Sequence, residues 1–540
     1  MPSLGNYLSS WSKAWTLPCA LFVGIFLLIA FTSSHYGLAW DEPYYFRAAD
    51  LHVNWLREFA QNVVSGQLEK SIGDATLVAA WHWDPFHVPH PPFSRIVSGF
   101  ANAVFSSSID KFSAYRLAPA LFFAVLVTLM YLWMRNLFDH LTGLFSAFLL
   151  IVTPNLFGFA HIAVTDMPLT TMWFFTVYCF WRGLDAWKWS VSLGVVWGLA
   201  LATKFPALLI PAPLFLWAHI FHRRSYHNNV FAMFFLSPLV MIASQPYYWH
   251  QTPLRILEFL YEGLSRGYRP ETSHSIFFLN QKYLTEDVPS YYPFFMTFVS
   301  IPETILLLAF IGVAFLLREK GRQNVIALFL FNAVFILCSG LLPGAVLHDV
   351  NRLMLPALPY LIGLAGWGFF MLSKSVVQLC ARINRCYVIA HLESKVRCVL
   401  LLLTLFPPSL DLLTYHPYEL SYYNRLAGGI RGAHKLGLEV TYLMEAFTPD
   451  FLEFLNANLP PNAVINASFA NFMLMHYQRE NRLRKDLKVV DTDAFDYYIL
   501  LHRVSAMSRR DWSLLTGARL PHDAFRLDGV PLILIYKNVP

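Results

Sequence analysis

Charge is scarce in this sequence. Asp, Glu, Lys and Arg make up only 14% of its 540 residues, whereas 56% are hydrophobic. This balance excludes an ordinary soluble domain, in which about 25% of residues are charged. The six cysteines imply no disulfide framework, and the net charge of +6 is too modest to indicate nucleic-acid binding. The composition therefore indicates an integral membrane protein.

The apolar residues form runs long enough to cross a bilayer. A hydrocarbon core of roughly 30 Å requires about 20 helical residues. The first run has no convincing cleavage site, which favours an uncleaved anchor over a signal peptide. The sequence predicts an α-helical polytopic membrane protein with about eleven or more spans, placed at 15–34, 115–134, 141–157, 168–181, 189–203, 205–221, 229–247, 293–317, 324–343, 353–373 and 398–414.

The distribution of Lys and Arg orients these spans. Short cytoplasmic loops are enriched in both residues. With the N-terminus inside, fourteen Lys and Arg residues fall in inside segments, and the short outside loops hold only Lys204 and Arg352. An odd number of spans then places the C-terminal part of the chain outside.

The predicted topology divides the chain into two domains. Residues 1–414 form a transmembrane domain with long outer loops at 35–114 and 248–292, both of which contain amphipathic patterns typical of helices on a membrane surface. Residues 415–540 are less apolar. A helix, a Pro-Pro turn, a strand and a helix are followed there by two more strands, which predicts a small extracytoplasmic α/β domain.

Ionisable residues gather at the outer ends of the predicted spans. Such residues are costly near membrane depth, so each is a candidate for function. Taken singly they have structural alternatives: an acidic helix cap, a loop turn, a snorkelling lysine or an interfacial arginine. Their convergence on one side favours a common site. They are Asp41, Glu42, Asp166, Lys204, His348, Asp349 and Arg352.

The first outer loop also holds four potential metal ligands within nine residues, in "WHWDPFHVPHPPF": His82, Asp84, His87 and His90. Imidazole and carboxylate are usual ligands of divalent metals. The spacing matches neither a helical two-His site nor a paired-Cys site, and four prolines make the segment an extended loop. The sequence thus predicts no metal site, and a divalent metal stays an alternative.

An ordered series of motifs carries a family resemblance. "WDEPYY", "HPPFSR", "TDMPLT", "TKFPALLIP", "HDVNRLMLPALPYL" and "LSYYNRLAGG" occur between about residues 40 and 430. In this series the chain resembles the lipid-carrier-dependent glycosyltransferases of the type C membrane fold, specifically the group of protein O-mannosyltransferases and aminoarabinose lipid A transferases. The second outer loop is too short for the β-trefoil domain of the eukaryotic mannosyltransferases, so the chain looks like a bacterial member.

The resemblance implies an inverting transfer of a hexose or pentose from a polyprenyl-phosphate sugar to a hydroxyl of a protein, of lipid A or of another envelope glycan. The reaction would take place on the periplasmic face of the inner membrane. The family's acidic motif falls on Asp41, the expected base, and on Glu42, its expected support; Asp166 matches a second acidic position. Cations must neutralise the leaving phosphate. The candidates are His90, Arg95, Lys204 and Arg352, with His90 where the aminoarabinose transferases have Lys.

Other classes of protein remain alternatives. A polytopic transporter or flippase would show repeated halves and charges near mid-membrane, and neither is visible in the sequence. A membrane scaffold would give no reason for acids and bases to gather on one face. A polymerase or ligase of lipid-linked glycans would differ in donor and acceptor, not in the kind of site.

Overall fold

A computed structural model of the chain describes residues 4–83, 90–222, 226–268, 274–316, 322–342, 344–384 and 389–538. The protein is an α-helical polytopic membrane protein with a small α/β domain at its C-terminal end. The α-helices, in chain order, are α1 Leu4–Thr32, α2 Glu42–Val64, α3 Glu69–Ile72, α4 Asp74–Trp81, α5 Phe93–Phe105, α6 Lys111–Leu137, α7 His140–Ile151, α8 Pro154–Ala160, α9 Asp166–Gly183, α10 Trp187–Leu201, α11 Pro211–Phe221, α12 His227–Phe231, α13 Ser237–Ala243, α14 Thr252–Ser265, α15 Tyr292–Ser300, α16 Glu303–Ala314, α17 Gln323–Ser339, α18 Leu358–Asn384, α19 Ile389–Tyr415, α20 Gly429–Lys435, α21 Pro449–Asn458, α22 Asn471–Arg479 and α23 Arg509–Thr516. The strands are β1 Ser275–Phe278, β2 Gln281–Leu284, β3 Val464–Asn466, β4 Lys488–Val489, β5 Tyr497–Leu501, β6 Asp523–Leu527 and β7 Val530–Lys537.

Each of the eleven predicted spans falls on a helix or on a pair of consecutive helices. Within the described residues, four helical stretches are long and apolar enough to cross a membrane: Trp15–His35, Lys111–Leu137, Arg352–Cys380 and Lys395–Tyr415. The bent pairs α7–α8, with an angle of 69°, and α15–α16, with an angle of 115°, raise that number to six. The remaining predicted spans form shorter helices. Helix α9 is buried along most of its length, so its surroundings are mainly other helices.

The first outer loop forms four helices, α2 to α5. Helices α2 and α5 pack together, and the end of each exposes large apolar side chains, Val63 and Val64 on α2 and Val104 and Phe105 on α5. Exposed apolar residues on an amphipathic helix are typical of a helix at the membrane surface. The predicted helices of this loop are therefore present, and their position at the membrane surface stays a prediction.

The segment predicted as the second outer loop contains the predicted helix and, in addition, a hairpin that the sequence did not indicate. Helix α14 exposes Leu254, Leu257, Tyr261 and Leu264, which recur at helical spacing on one face. Strands β1 and β2 pair in antiparallel register, with Ile276 opposite Tyr283. Sequence reasoning missed this hairpin because its strands are only four residues long.

The C-terminal domain is built on a five-stranded sheet with the order β4-β3-β5-β7-β6. Strand β3 is parallel to β4 and β5, whereas β7 is antiparallel to β5 and β6. The predicted sequence of helix, turn, strand and helix is present as α21, β3 and α22, and the two predicted later strands are β5 and β7. All five residues of β5 are buried, which explains its unbroken apolar run.

Candidate active site

One guanidinium group lies at the centre of the clustered acids. The side chain of Arg352, at the start of the helical turn Arg352–Ala357, places Nη2 2.5 Å from Oδ2 of Asp41. Its Nε lies 3.0 Å from Oδ2 of Asp166, and its Nη1 lies 3.1 Å from Oδ2 of Asp349. Each nitrogen thus bonds a carboxylate from a different segment of the chain. The structure brings these four sequence-predicted residues together.

Asp41 is the most accessible of the three acids. Its side chain is 24% exposed, compared with 2% for Asp166 and 7% for Asp349. It directly precedes α2 and makes no helix-capping hydrogen bond with its side chain. Pro43 in the first turn of α2 favours a helix start at this point. The carboxylate of Asp41 is therefore directed to Arg352 and remains open to solvent on another side.

Asp166 is enclosed by two cations. Its Oδ1 lies 2.8 Å from Nζ of Lys204, and its Oδ2 accepts the bond from Arg352. Both Asp166 and Lys204 are buried, so their charges are compensated within the protein. The side chain of Lys204 does not snorkel towards solvent, and the oxygens of Asp166 serve the cations and not the amides of α9.

Lys204 lies in an extended turn between α10 and the helical turn Phe205–Leu209. The residue that follows it, Phe205, packs against α14. A Cβ atom at Gly263 of α14 would come 2.0 Å from the Phe205 ring, so only glycine fits at this contact. The second outer loop is thereby held close to Lys204.

Asp349 has three neighbours with nitrogen donors. In addition to Arg352, Nδ1 of His348 lies 2.9 Å from its Oδ2, and Nη2 of Arg503 lies 3.3 Å from its Oδ1. Burial alone would raise the pKa of Asp349, but His348, Arg503 and Arg352 outweigh burial and hold that pKa below its ordinary value. Asp349 is therefore a carboxylate that anchors Arg352.

Glu42 has a different environment from its neighbour Asp41. Its Oε1 accepts from Nε of Arg116 at 2.8 Å and from the Ala163 amide at 2.8 Å. Its Oε2 accepts from Nη2 of Arg116 at 2.6 Å and from the Ala39 amide at 2.9 Å. Both side chains are fully buried, at 0% and 1% exposure. Four donors leave Glu42 no oxygen for a substrate, which suits a supporting role.

Four cations act on His90. Burial, followed by the charges of Arg266, Lys204, Arg95 and Arg352, lowers the pKa of His90 well below its ordinary value. His90 is therefore neutral at physiological pH and offers a hydrogen bond but no charge. These four residues, Arg95, Lys204, Arg266 and Arg352, are named here the basic cradle; Lys204 and Arg352 also pair with carboxylates. A basic cradle fits a phosphate group.

Tyr45 connects the cradle with the acids. Its ring lies 6.1 Å from the ring of His90 and 5.9 Å from the guanidinium carbon of Arg95. A small cavity beside Tyr45 is lined by Arg95, Thr165 and Pro168, among others. Residues of helices α2, α5 and α9 thus line one small void.

The histidine-rich segment of the first loop gives no metal centre in the described part of the chain. Asp84 and His87 lie outside the described residues. The ring of His82 stacks on Tyr247 with centroids 4.2 Å apart. Within the described ranges, no group of three or more His, Cys, Asp or Glu residues is arranged to hold a metal ion.

Sequence reasoning missed three arginines of the site. Arg116 lies 74 residues from Glu42, and Arg503 lies 154 residues from Asp349. Arg266 follows α14 in a helical turn. No local motif marks these positions. The one signal available in the sequence was the position of Arg116 inside the predicted span 115–134, where a charged residue is rare.

The comparison with protein families finds a match that includes several residues of the site. Residues 89–249 match the sequence model of the family described as dolichyl-phosphate-mannose-protein mannosyltransferase. This match confirms the predicted resemblance. The matched stretch includes His90, Arg95, Asp166 and Lys204. Among curated proteins, the comparison finds no significant match.

Two solved structures are similar over nearly the whole length. The apo crystal structure of ArnT from Cupriavidus metallidurans shares 16% identity and has a TM-score of 0.47, covering 97% of this chain and 98% of that one. The crystal structure of ArnT from the same organism bound to undecaprenyl phosphate shares 15% identity and has a TM-score of 0.45, covering 98% of both chains. At these TM-scores the likeness adds nothing to the sequence match.

Proposed function

We propose that this chain is an inverting glycosyltransferase that moves a sugar from a polyprenyl-phosphate donor to an acceptor hydroxyl on the periplasmic face of the bacterial inner membrane. The observation that carries the proposal is the position of Asp41. This accessible carboxylate is bound to Arg352, which also belongs to the basic cradle. A base for a hydroxyl and cations for a phosphate therefore lie side by side.

The reaction is a single displacement. The acceptor oxygen forms a bond to the anomeric carbon, and the bond from that carbon to the phosphate oxygen breaks. Asp41 accepts the proton of the hydroxyl, which requires its hydrogen bond to Arg352 to yield. Asp166 and Asp349 hold Nε and Nη1 and so fix the plane of the guanidinium, and Nη2, once released by Asp41, can donate to the leaving phosphate from the same position.

The carboxylates around Arg352 support inversion over retention. A retaining double displacement needs a nucleophilic carboxylate as well as an acid or base. Among the described residues at Arg352, Asp166 is occupied by two buried cations, and Asp349 by three partners. Only Asp41 is open, which leaves one carboxylate for one proton transfer.

The donor reaches the cradle along the membrane surface in this proposal. The exposed apolar face of α14 leads directly into Arg266, one of the cradle cations. A polyprenyl chain lying against Leu257 and Leu264 would carry its phosphate towards Arg266 and Lys204. Burial of the chain's apolar surface supplies affinity, and the cations supply orientation.

The acceptor is proposed only as a class. A hydroxyl of a protein, of lipid A or of another envelope glycan meets the chemical requirement at Asp41. The short segment 248–292 and the C-terminal domain, which is periplasmic in this proposal, suit a bacterial envelope acceptor. No observation favours a transporter over this enzyme.

The test is a transfer assay with the purified full-length protein in lipid vesicles. A panel of radiolabelled polyprenyl-phosphate sugars is offered with a lipid A, peptide or glycan acceptor, and the anomeric configuration of the product is measured by NMR. Transfer with inversion is expected. Transfer with retention would contradict the single displacement, and donor translocation without transfer would favour the transporter.

A further inference from the structure

The C-terminal domain touches the candidate active site through Arg503. This residue follows β5, and its Nη2 lies 3.3 Å from Oδ1 of Asp349. The other oxygen of Asp349 bonds Arg352 at 3.1 Å. Arg503 and Asp349 are largely buried, at 15% and 7% side-chain exposure, so their attraction is only weakly screened by solvent. A chain of charged contacts therefore runs from the domain to Arg352.

The loop that carries Asp349 needs such support. Asp349 and Val350 both adopt left-handed backbone angles, with φ of 55° and 58°. This conformation is uncommon for residues other than glycine and is costly for a β-branched residue such as Val350. Contacts from outside the loop must hold it, and Arg503 supplies one from another domain.

The loop that carries Arg503 is fixed in turn. The carboxylate of Glu439 accepts hydrogen bonds from the amides of Val504 at 2.5 Å and Ser505 at 3.0 Å. The Thr441 hydroxyl donates to the carbonyl of His502 at 3.1 Å. The position of Arg503 is therefore set on both sides by the segment 439–441.

The continuation of that segment reaches the neighbour of Asp41. The Leu443 carbonyl accepts from the Trp40 amide at 2.8 Å. A Cβ atom at Gly37 would come 2.5 Å from the Glu445 carbonyl oxygen, so the two backbones are in direct contact. The C-terminal domain thus contacts both sides of the ion pair between Asp41 and Arg352.

We infer that the C-terminal domain completes the active site, and that Arg503 is a positioning residue which acts through Asp349 on Arg352. The inference rests on the proposed function and assigns a role to the soluble domain. Arg503 keeps Asp349 in place, and Asp349 keeps the guanidinium plane of Arg352 in place while Nη2 exchanges its acceptor from Asp41 to the phosphate. Arg503 itself touches neither donor nor acceptor in this scheme.

The experiment compares Arg503→Gln and Arg503→Lys with the control Arg431→Gln in the full-length protein. Arg431 pairs with Asp528 at 2.7 Å on the surface of the same domain. Loss of one charge-assisted contact predicts a fall in kcat of about tenfold for Arg503→Gln. The donor KM is expected to stay within about twofold, the lysine variant to recover most of the rate, and the melting temperature to match that of the control.

A double-mutant cycle separates positioning from general support. If Arg503 acts through Asp349, the double variant Asp349→Asn with Arg503→Gln loses no more activity than Asp349→Asn alone. Fully additive losses, a wild-type kcat in Arg503→Gln, or a loss explained by a lowered melting temperature would each overturn the inference. A wild-type protein that transfers no sugar would instead contradict the proposed function itself.

Discussion

Asp41 and Glu42 are adjacent in the sequence, and each is paired with an arginine, yet the two pairs differ in what surrounds them. Glu42 and Arg116 are fully buried, and four donors saturate the carboxylate. Asp41 is 24% exposed and has Arg352 as its ion-pair partner. A saturated pair fixes the backbone, whereas an open pair can exchange its partner for a substrate. The surroundings of the two carboxylates, and not their residue type, decide that Glu42 is structural and that Asp41 is the candidate base.

The buried pair of Glu42 and Arg116 has an identifiable structural role. Arg116 also donates to the carbonyls of Ser33, Tyr36 and Gly37, at 2.9, 3.1 and 2.7 Å. It therefore ties the turn before α2 to helix α6. This connection determines where Asp41 lies at the start of α2.

After Asp41 itself, the largest expected effect comes from Arg352, its partner in the open pair. Arg352→Gln removes the cation that holds three carboxylates and that would face the leaving phosphate in the proposed reaction. We expect kcat to fall by roughly 10²–10³-fold, the usual cost of losing one electrostatic stabiliser of a transition state. Steady-state transfer assays check this, with Arg352→Lys as the matched variant. A lysine variant as inactive as the glutamine variant would show that charge alone is insufficient.

Substitution in the buried pair of Glu42 and Arg116 should lower stability more than activity. Glu42→Gln leaves Arg116 buried without its counter-charge, a change that typically costs about 3–5 kcal/mol of stability. We expect a lower melting temperature in detergent, followed by intrinsic tryptophan fluorescence. The folded fraction should keep much of its transfer activity. A variant with wild-type stability but no activity would place Glu42 in the chemistry and remove the contrast with Asp41.

A smaller effect is expected at the donor side of the open pair. Arg266→Gln removes one cation from the cradle, and we expect the donor KM to rise about tenfold with kcat less affected, since a charge-assisted hydrogen bond contributes roughly 1.5–3 kcal/mol. Binding of a polyprenyl phosphate without sugar measures the same contact. Arg425→Gln, at an exposed surface position outside the cradle, is the control. Equal donor affinity in both variants would show that Arg266 does not bind the donor phosphate.

The smallest effect concerns the contact of the C-terminal domain beside Asp41. Burial raises the pKa of Glu445 to about 7, so the folded protein keeps this carboxyl protonated where the unfolded chain is ionised. The stability contributed by Glu445 is therefore present below about pH 4.5 and lost as the pH rises through about 7. We expect the melting temperature to fall less between pH 5 and pH 8 in Glu445→Gln than in the wild type. Glu453→Gln, at an exposed position, should keep the wild-type dependence.

The positions of the helices and the central ionisable residues of the site could be predicted from the sequence. Apolar runs predicted the positions of the helices, because helices in lipid need apolar side chains. They did not predict the breaks, since within the described residues only four helical stretches, or six with the bent pairs, are long enough to cross a membrane. Asp41, Asp166, Asp349, Lys204 and Arg352 were all selected because charge at span ends is rare. The structure joins these five in one network of ion pairs.

The partners from distant segments could not be predicted. Arg116 and Arg503 are positioned by tertiary packing. Arg116 is marked only by its place in a predicted span, and nothing near Arg503 distinguishes it from a surface arginine. The hairpin of β1 and β2 is short and carries no turn motif of the usual type. Its loop residues Leu279 and Asn280 both take left-handed backbone angles. Leucine is not typical of such a turn position, so the sequence did not predict the turn.

The measurement that most directly tests the account is a single-turnover chase with Asp41→Asn. Purified protein is loaded with a radiolabelled polyprenyl-phosphate sugar and then mixed with acceptor, and bound donor and transferred sugar are counted in the same sample. The account predicts wild-type donor loading and a transfer rate lower by about 10²–10⁴-fold, because the hydroxyl has lost its base. Transfer at the wild-type rate would contradict the assignment of Asp41 and the contrast between the two pairs.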